Sequence, residues 1–318
     1  MKTRRIITIA LCLCMLVSAC VLTSCGQQTK YTIGVCQIVK HDALDAATKG
    51  FKDAVVEALG NDVKFIEQDA AGDTVQCATI VNSFVAQKVD LILANATPVL
   101  QAAQNATKTI PILGTSITEY SVALNLTNYN GTVGGNISGT SDLAPLDEQA
   151  QMLLDVFPGT KKVALLYCSA EPNSLYQVQK VGEYLKSKGV DCKDYTFTDS
   201  NDLPAVVTKA VADVDVIYCP TDNTVASNCS IIDNIARKAK VPVYAGEEAI
   251  CKGCGTVTLS IDYYDLGYKT GEMAVKILRD KADISKMPIE YAPKFTKKYN
   301  KAICDELGIT VPADFEEV

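Results

Sequence analysis

The sequence predicts an α/β protein built from two lobes, each a doubly wound parallel sheet. Strand-like and helix-like segments alternate along the chain, which is typical of repeated βαβ units and therefore of parallel sheets. The alternation is interrupted by a glycine-rich stretch at 131–139 and then starts again. About 290 residues follow the N-terminal 24, which is too many for one ordinary core and indicates two domains.

The first series of elements opens with a β-rich alternating segment, followed by a helix for which Asp42 is a candidate N-cap. Asp73 begins a capping-box pattern, and Pro98 occupies the first turn of a later helix. The predicted strands are 31–39, 63–68, 90–94 and 110–114, and the predicted helices are 42–59, 73–87 and 98–107.

The second series has the same organisation but shows no short sequence repeat, so the two lobes are interpreted as a structural duplication. Its strands are rich in aliphatic residues, and one helix ends before Gly189, as glycine at a C-terminus favours. The predicted strands are 162–167, 190–197, 215–219, 241–245 and 256–260, and the predicted helices are 145–157, 174–188, 202–211, 224–240 and 266–279.

Residues 1–24 have the pattern of a bacterial lipoprotein signal peptide. A basic head precedes an apolar run at 6–21, and Leu22-Thr23-Ser24-Cys25 follows. The run is shorter than the roughly 20 residues of a membrane-spanning helix, which is the first alternative; the second is an ordinary secretory signal. We expect lipidation of Cys25, a flexible tether at 25–30, and a location on the outer face of the cytoplasmic membrane.

The charge of the chain argues against nucleic acid as a partner. The formal net charge is −7, and removal of the three basic residues of the signal leaves −10. So acidic a body disfavours binding to nucleic acid or to anionic lipid through a basic face. We therefore expect contact with the membrane through the lipid anchor only.

Nine of the 13 cysteines lie beyond the signal and Cys25, and Cys251-Lys252-Gly253-Cys254 contains the one close pair. Free loop thiols are the favoured interpretation, with a local disulfide or redox turn as the alternative. A Cys-x-x-Cys pair with one histidine in the whole chain does not make a zinc site, so no metal and no cofactor are expected.

Ligands of doubly wound sheets bind beyond the carboxyl ends of the strands, where this chain is rich in amides, hydroxyls and carboxylates. For Thr97, Asn173 and Asn223, helix capping without any ligand is the competing explanation. The candidate ligand-binding residues are Gln37, His41, Ala96, Thr97, Thr118, Asp142, Glu171, Asn173, Ser174, Asp222, Asn223, Glu247 and Asp262.

Several of these segments, taken in order, carry a family resemblance. They are 35–51, Ala96-Thr97-Pro98, 139–142, 171–174, 220–224 and 260–263, followed by Gly267 and Gly271. The chain from about residue 31 onward resembles a family of ABC-transporter substrate-binding lipoproteins, which includes tryptophan-, phenylalanine- and tyrosine-associated binding proteins. Two positions depart from the family pattern: Lys40 stands where an acidic residue is usual, and Asn95 where glycine is usual.

The resemblance implies a type I periplasmic-binding-protein-like fold with a three-crossing hinge, placed near 140–141, 245–247 and 287–288. Lobe 1 would comprise 31–140 and 248–286, and lobe 2 would comprise 141–247 and 287–318. Closure about the hinge would trap the ligand. The expected partners are an ABC permease and ATPase, and the protein is expected to be a monomer.

The resemblance also implies an amino-acid ligand, aromatic or large and apolar. No arginine follows a predicted strand, so the ligand carboxylate is expected at the helix N-termini that begin at Ala96-Thr97 and Asn173-Ser174. The acceptors expected for its ammonium group are Glu171, Asp222, Asp142 and Asp262. The tyrosines that could flank an aromatic ring are Tyr120, Tyr176, Tyr263 and Tyr264.

Three alternatives remain at this stage. One is a binding protein for a nucleoside or a sugar, and another is a ligand sensor without a transporter. The third is an enzyme, disfavoured because His41 is the only histidine and neither a Gly-x-Ser-x-Gly elbow nor a glycine-rich phosphate loop is present.

Overall fold

The structure is a computed structural model that describes residues 29–318. The predicted signal peptide and Cys25 lie outside these residues. Two sheets with helices on both faces form two lobes, which confirms the predicted fold class. No helix in residues 29–318 combines the length and the apolar character that crossing a bilayer requires.

The first lobe contains a six-stranded parallel sheet. Its strands, in chain order, are β1 (Tyr31–Gln37), β2 (Val63–Asp69), β3 (Leu91–Asn95), β4 (Ile112–Ile117), β5 (Ile137–Ser141) and β11 (Glu290–Tyr291), arranged as β11-β5-β4-β3-β1-β2. Its helices are α1 (Asp42–Leu59), α2 (Thr74–Ala86), α3 (Thr97–Ala106), α4 (Tyr120–Ala123) and α11 (Tyr263–Leu278). Every residue of β3 is buried because helices cover both faces of the sheet.

The second lobe contains a seven-stranded sheet that is parallel except at one pairing, where the twelfth strand runs antiparallel to the tenth. Its strands are β6 (Lys162–Cys168), β7 (Asp191–Phe197), β8 (Val216–Cys219), β9 (Val243–Ala245), β10 (Val257–Ser260), β12 (Thr296–Tyr299) and β13 (Glu316–Glu317), arranged as β13-β12-β10-β9-β8-β6-β7. Its helices are α5 (Leu146–Val156), α6 (Pro172–Ser187), α7 (Leu203–Asp213), α8 (Asn223–Ala226), α9 (Cys229–Ala239), α10 (Glu248–Gly253) and α12 (Lys301–Leu307).

The strand pairing places two of the three crossings at positions that differ from those predicted. Strand β10 pairs with β9 and β12, so residues 248–260 belong to the second lobe and the chain crosses at 261–262. Strand β11 pairs with β5, so the last crossing falls at 292–295 rather than at 287–288. The first crossing follows Ser141, one residue later than the predicted boundary. The hydrophobic pattern reports burial of a strand but not the sheet that it joins, which explains the error.

Two predicted elements also differ in detail. The helix predicted at 224–240 is divided into α8 and α9, because Asn228 leaves the helical conformation with φ −128° and ψ 23°. Strand β4 ends at Ile117, three residues beyond the predicted end, and its register with β5 shifts between Gly114 and Ile117. Ser116, within this shift, lies near the junction of the two lobes.

All nine cysteines in the described part of the chain are buried and carry free thiols. Cys251 lies in α10 and Cys254 at its C-cap, so both pack in the core of the second lobe rather than in an exposed loop. Burial raises the pKa of Cys251, and for Cys254 the contact with the Cys229 thiol acts in the same direction. The structure therefore does not contain the local disulfide that was the alternative interpretation of Cys251 and Cys254.

Helix α11 packs against α1 at very short range through glycines. A Cβ added at Gly267 would lie 1.9 Å from the carbonyl oxygen of Ala47, and one at Gly271 would lie 2.5 Å from that of Phe51. A methyl group cannot fit at either position without separating the helices. This packing explains the glycines at 267 and 271 that the resemblance included.

We therefore expect Gly267→Ala to lower the free energy of unfolding by about 2 kcal/mol or more, because overpacking outweighs the better helix propensity of alanine. Gly182→Ala is the matched control, since Gly182 also lies within a helix and its added Cβ would approach only the tip of Leu165, at 3.0 Å. Chemical denaturation of both variants measures the difference. Equal effects of the two substitutions would contradict the steric explanation.

Candidate functional site

A narrow cavity lies between the lobes at the carboxyl ends of the strands. Asp142 stands where the first crossing leaves the first sheet, and Tyr263 stands where the second crossing enters α11. Both residues line this cavity. The lining residues are His41, Leu44, Ser116, Thr118, Asp142, Asn173, Thr221, Asp222, Asn223, Ala226, Glu247 and Tyr263. Seven of the 13 sequence-predicted site residues are among them.

Unpartnered polar atoms concentrate at this cavity. In the part of the chain that the structure describes, eight buried side-chain nitrogen or oxygen atoms have no hydrogen-bond partner. Four of them belong to lining residues: His41 Nδ1, Ser116 Oγ, Asp142 Oδ1 and Asn173 Oδ1. Buried polar atoms are almost always paired, so four unpaired atoms around one cavity indicate a ligand-binding site.

Asp142 is the lining carboxylate in which one oxygen has no hydrogen-bond partner. The residue is 4% exposed; Oδ2 accepts a hydrogen bond of 2.9 Å from the Tyr263 hydroxyl, whereas Oδ1 has no partner. Burial raises the pKa of Asp142 to about 6. A positive group in the cavity would offset that burial, since an opposite charge nearby favours the ionised carboxylate.

Asp222 and Glu247 line the cavity but act as helix caps. Asp222 accepts from the backbone N–H groups of Val225 and Cys168, both at 2.8 Å. Glu247 accepts from Ile250 at 2.8 Å and from Ala249 at 2.6 Å. Burial raises the pKa of Glu247 to about 7; burial, and after it the neighbouring Glu171 carboxylate, raise that of Asp222.

Glu171 organises one wall of the cavity without lining it. Its Oε1 accepts from the backbone N–H and the hydroxyl of Thr224, and its Oε2 accepts from the backbone and side-chain N–H groups of Asn223. Nδ2 of Asn173 donates to Glu171 Oε2 and to the carbonyl oxygen of Thr221. Both carboxylate oxygens are therefore occupied, and Glu171 positions Asn173 and Asn223.

His41 connects the two lobes. Its Nε2 lies 3.4 Å from Oδ1 of Asn223, whose Nδ2 is directed to Glu171, so the imidazole donates from Nε2 to the asparagine oxygen. Burial lowers the pKa of His41 and keeps the ring neutral at pH 7. Its Nδ1, which is buried and has no partner, is then an acceptor. A second contact between the lobes, 2.8 Å long, joins Lys252 to Asp42 at the surface.

Six predicted site residues lie outside the cavity lining: Gln37, Ala96, Thr97, Glu171, Ser174 and Asp262. Gln37 belongs to a network inside the first lobe, where it donates to Asp45 at 2.7 Å and accepts from Thr48 at 2.8 Å. Asp262 is exposed and caps α11 through the N–H of Asp265. The sequence alone does not distinguish acceptors that line the cavity from those that belong to an internal network or cap a helix; only their contacts in the structure do.

Five lining residues were absent from the 13 candidate ligand-binding residues: Leu44, Ser116, Thr221, Ala226 and Tyr263, of which only Tyr263 had been considered separately as a tyrosine that could flank a ring. Ser116 and Thr221 fall in segments that follow predicted strands, and no residue pattern distinguishes them from their neighbours. Of the four tyrosines considered, Tyr263 lines the cavity, whereas the buried Tyr120 donates to the carbonyl oxygen of Thr140 and Tyr264 donates to Asp53.

Two lobes joined by three crossings, with a polar cavity at the strand ends, define a two-lobed solute-binding protein. The chain belongs to the ABC transporter substrate binding protein family, whose family model matches residues 32–316. It is therefore the substrate-binding component of an ABC transporter, and the resemblance stated above is confirmed. The family works outside the cytoplasm, and its members bind solutes rather than act as enzymes.

Similar proteins include the Tyrosine-binding protein of Clostridioides difficile (strain R20291), 36% identical over 79% of this chain and 73% of that protein. The ABC domain from Streptococcus pneumoniae in complex with L-Trp is 32% identical, with a TM-score of 0.85 over 89% of this chain and 96% of the other. A ligand-free, open substrate binding protein with adhesive properties from Clostridium difficile is 36% identical, with a TM-score of 0.69 over 91% and 99%. The present structure is thus more similar to the L-Trp complex than to the open form.

The burial of Asp142 leads to a pH-dependent stability. A carboxyl whose pKa is raised by folding binds more protons in the folded state, so its contribution to stability falls as the pH rises from about 4 to above 6. Without ligand, we expect Asp142→Asn to stabilise the protein by about 3 kcal/mol at pH 7.5 and by only about 1 kcal/mol at pH 4.5.

Thermal melting of the wild type and the variant at both pH values measures this effect, and the comparison at each pH cancels other titrating groups. The matched control is Asp262→Asn, which keeps a residue suited to capping at an exposed position. A variant that is equally stabilised, or destabilised, at both pH values would show that the carboxylate is not penalised by burial.

Proposed function

We propose that this protein is the lipid-anchored, extracytoplasmic binding subunit of an ABC importer for an aromatic amino acid. The amino acid would bind between the lobes and hold them closed for presentation to a permease and its ATPase. The observation that carries the proposal is the group of four unpartnered polar atoms around the interlobe cavity. The protein would act as a monomer, since one chain supplies the whole cavity.

The chemistry of the lining supports an amino-acid ligand. Asp142 Oδ1 is the free acceptor for an ammonium group, and it replaces the four-residue set expected from the sequence. His41 and Glu171 are the N-cap residues of α1 and α6, and neither side chain caps its helix. The free N–H groups at these two N-termini therefore suit a carboxylate. The N-terminus of α3 at Ala96-Thr97, which the sequence suggested for this role, does not line the cavity.

An aromatic side chain is supported by two observations. Leu44, Ala226 and the ring of Tyr263 provide the apolar part of the lining, and an aromatic ring prefers such surroundings. The relatives point in the same direction, since one is named for tyrosine and another was solved with L-Trp. No lining residue is a tryptophan, because the chain contains none, so stacking of a sugar on indole is not available.

Calorimetric titration tests the ligand class. The protein is unfolded and refolded to remove co-purified ligand, then titrated with tryptophan, tyrosine, phenylalanine, leucine, a nucleoside and a sugar. We expect one-to-one binding of an aromatic amino acid, weakened about 10- to 150-fold by Asp142→Asn through loss of a charge-assisted hydrogen bond. Asp262→Asn, the matched control outside the cavity, should bind like the wild type. Binding of the nucleoside or the sugar alone would contradict the proposal.

The anchor is tested separately, in cells. The full chain expressed in a bacterium should partition into the detergent phase of a cloud-point extraction, and Cys25→Ala should move it to the aqueous phase. Cys20→Ala is the matched control, since Cys20 lies in the same N-terminal segment before the expected lipidation site. Retention of the Cys25→Ala protein in the detergent phase would exclude lipidation of Cys25 as the anchor.

A further inference from the structure

We infer that the chain has two sites of oxidative modification, one in each lobe, at which buried thiols are joined as the disulfides Cys36–Cys77 and Cys229–Cys254. The inference goes beyond the proposed function and does not depend on the ligand. It also differs from the sequence-based alternative, which paired Cys251 with Cys254 because these two residues are close in the sequence.

The pair in the first lobe would join an inner strand to a helix that covers it. Cys36 is the penultimate residue of β1, and Cys77 lies near the start of α2. Both residues are 0% exposed and belong to one apolar cluster, in which the two thiols are in hydrogen-bond contact. A disulfide requires side chains directed toward each other across a short gap, and two thiols in contact meet that condition.

The pair in the second lobe would join two helices. Cys229 is the first residue of α9 and Cys254 is the C-cap residue of α10, and their thiols are also in hydrogen-bond contact. Gly253 permits this approach, because a Cβ added there would lie 2.6 Å from Cβ and 2.9 Å from Sγ of Cys229. Sγ of Cys229 also lies 3.4 Å from the carbonyl oxygens of Val225 and Ala226. Both cysteines of this pair are buried.

Other thiols of the described chain are placed differently. Cys168, Cys192 and Cys304 each donate a hydrogen bond to a backbone carbonyl oxygen. Burial and, after it, the thiol of Cys304 raise the pKa of Cys251, so the sulfur neighbour that influences Cys251 is on α12. Contacts in the folded lobes, rather than spacing in the sequence, therefore identify the two pairs.

The oxidant would be a low-molecular-weight disulfide, for example oxidised glutathione. One protein thiolate attacks this disulfide, which forms a mixed disulfide and releases one reduced thiol. The second protein thiolate attacks the protein sulfur of the mixed disulfide and releases the other thiol. Each pair thus gives up two electrons and two protons, and the oxidant becomes two thiols. Because both pairs are buried, they meet the oxidant during folding, before each lobe has closed around them.

The location of the family supports this reaction. Its members work outside the cytoplasm, and disulfides form and persist in oxidising compartments. The two residues of each pair are far apart in the sequence, so each bond would close a long loop and restrict the unfolded chain. None of the four thiols lines the interlobe cavity, so the bonds would stabilise the lobes without changing the affinity for a ligand.

The mapping of disulfide-linked peptides tests the inference. The full chain is unfolded, reduced and refolded in a mixture of reduced and oxidised glutathione, and its remaining free thiols are then alkylated in denaturant. We expect an unreduced tryptic digest to contain both inferred linkages. Trypsin cuts after Lys252, so a bond to Cys251 is distinguished from a bond to Cys254.

Three variants assign the linkages to residues. Cys77→Ala and Cys229→Ala replace helical residues with a strong helix former, and each should lose one linkage and retain the other. Cys304→Ala is the matched control, since it removes another buried helical thiol and should retain both linkages. The oxidised wild type should melt about 5 °C or more above the reduced wild type.

Absence of both linkages, or a Cys251–Cys254 bond in their place, would overturn the inference, and a single linkage would overturn it for the other lobe. A melting temperature no higher after oxidation would contradict the fit of the bonds to the folded lobes. None of these outcomes affects the proposed function, which the ligand titration tests separately.

Discussion

The cavity depends on burying carboxyl groups between two lobes with no cationic side chain beside them. Such burial is costly unless each oxygen is hydrogen-bonded. Asp222 and Glu247 meet this condition with backbone N–H groups at helix N-termini, and Glu171 does so with Asn223 and Thr224. In Asp142 only one oxygen is hydrogen-bonded: Oδ2 accepts from Tyr263, and Oδ1 has no partner. The distribution of donors, rather than the number of carboxylates, thus determines which carboxylate keeps an unpartnered oxygen.

Much of the fold was predictable, because strand–helix alternation and caps are local signals. The sheet that each strand joins was not, since β10 and β11 have ordinary strand patterns and their partners lie far away in the sequence. The site shows the same limit. Asp142 and Asp262 are equally polar residues at crossings, and only their surroundings separate a buried, half-paired carboxylate from an exposed cap.

The polar side-chain contacts that join the lobes at His41 and Lys252 are weak. The His41–Asn223 contact is long, at 3.4 Å, and Lys252 and Asp42 are both largely exposed, so solvent screens their attraction. Apolar contacts add to them, since Ala249 of the second lobe packs against the cluster that contains Ala43 and Ala47. Under the proposed function, a ligand that supplied hydrogen bonds to both lobes would favour the arrangement in which the lobes face each other.

The route of the chain also determines when each lobe can be completed. Helix α11 supplies Met273, Ala274 and Ile277 to the apolar cluster on one face of the first sheet, yet it follows the whole sequence from α5 to β10. Before α11 is available, only residues from earlier in the chain, such as Phe51 and Val55 of α1, can cover that face. A chain that emerges from its N-terminus onward therefore completes the first lobe only when its last sixth arrives.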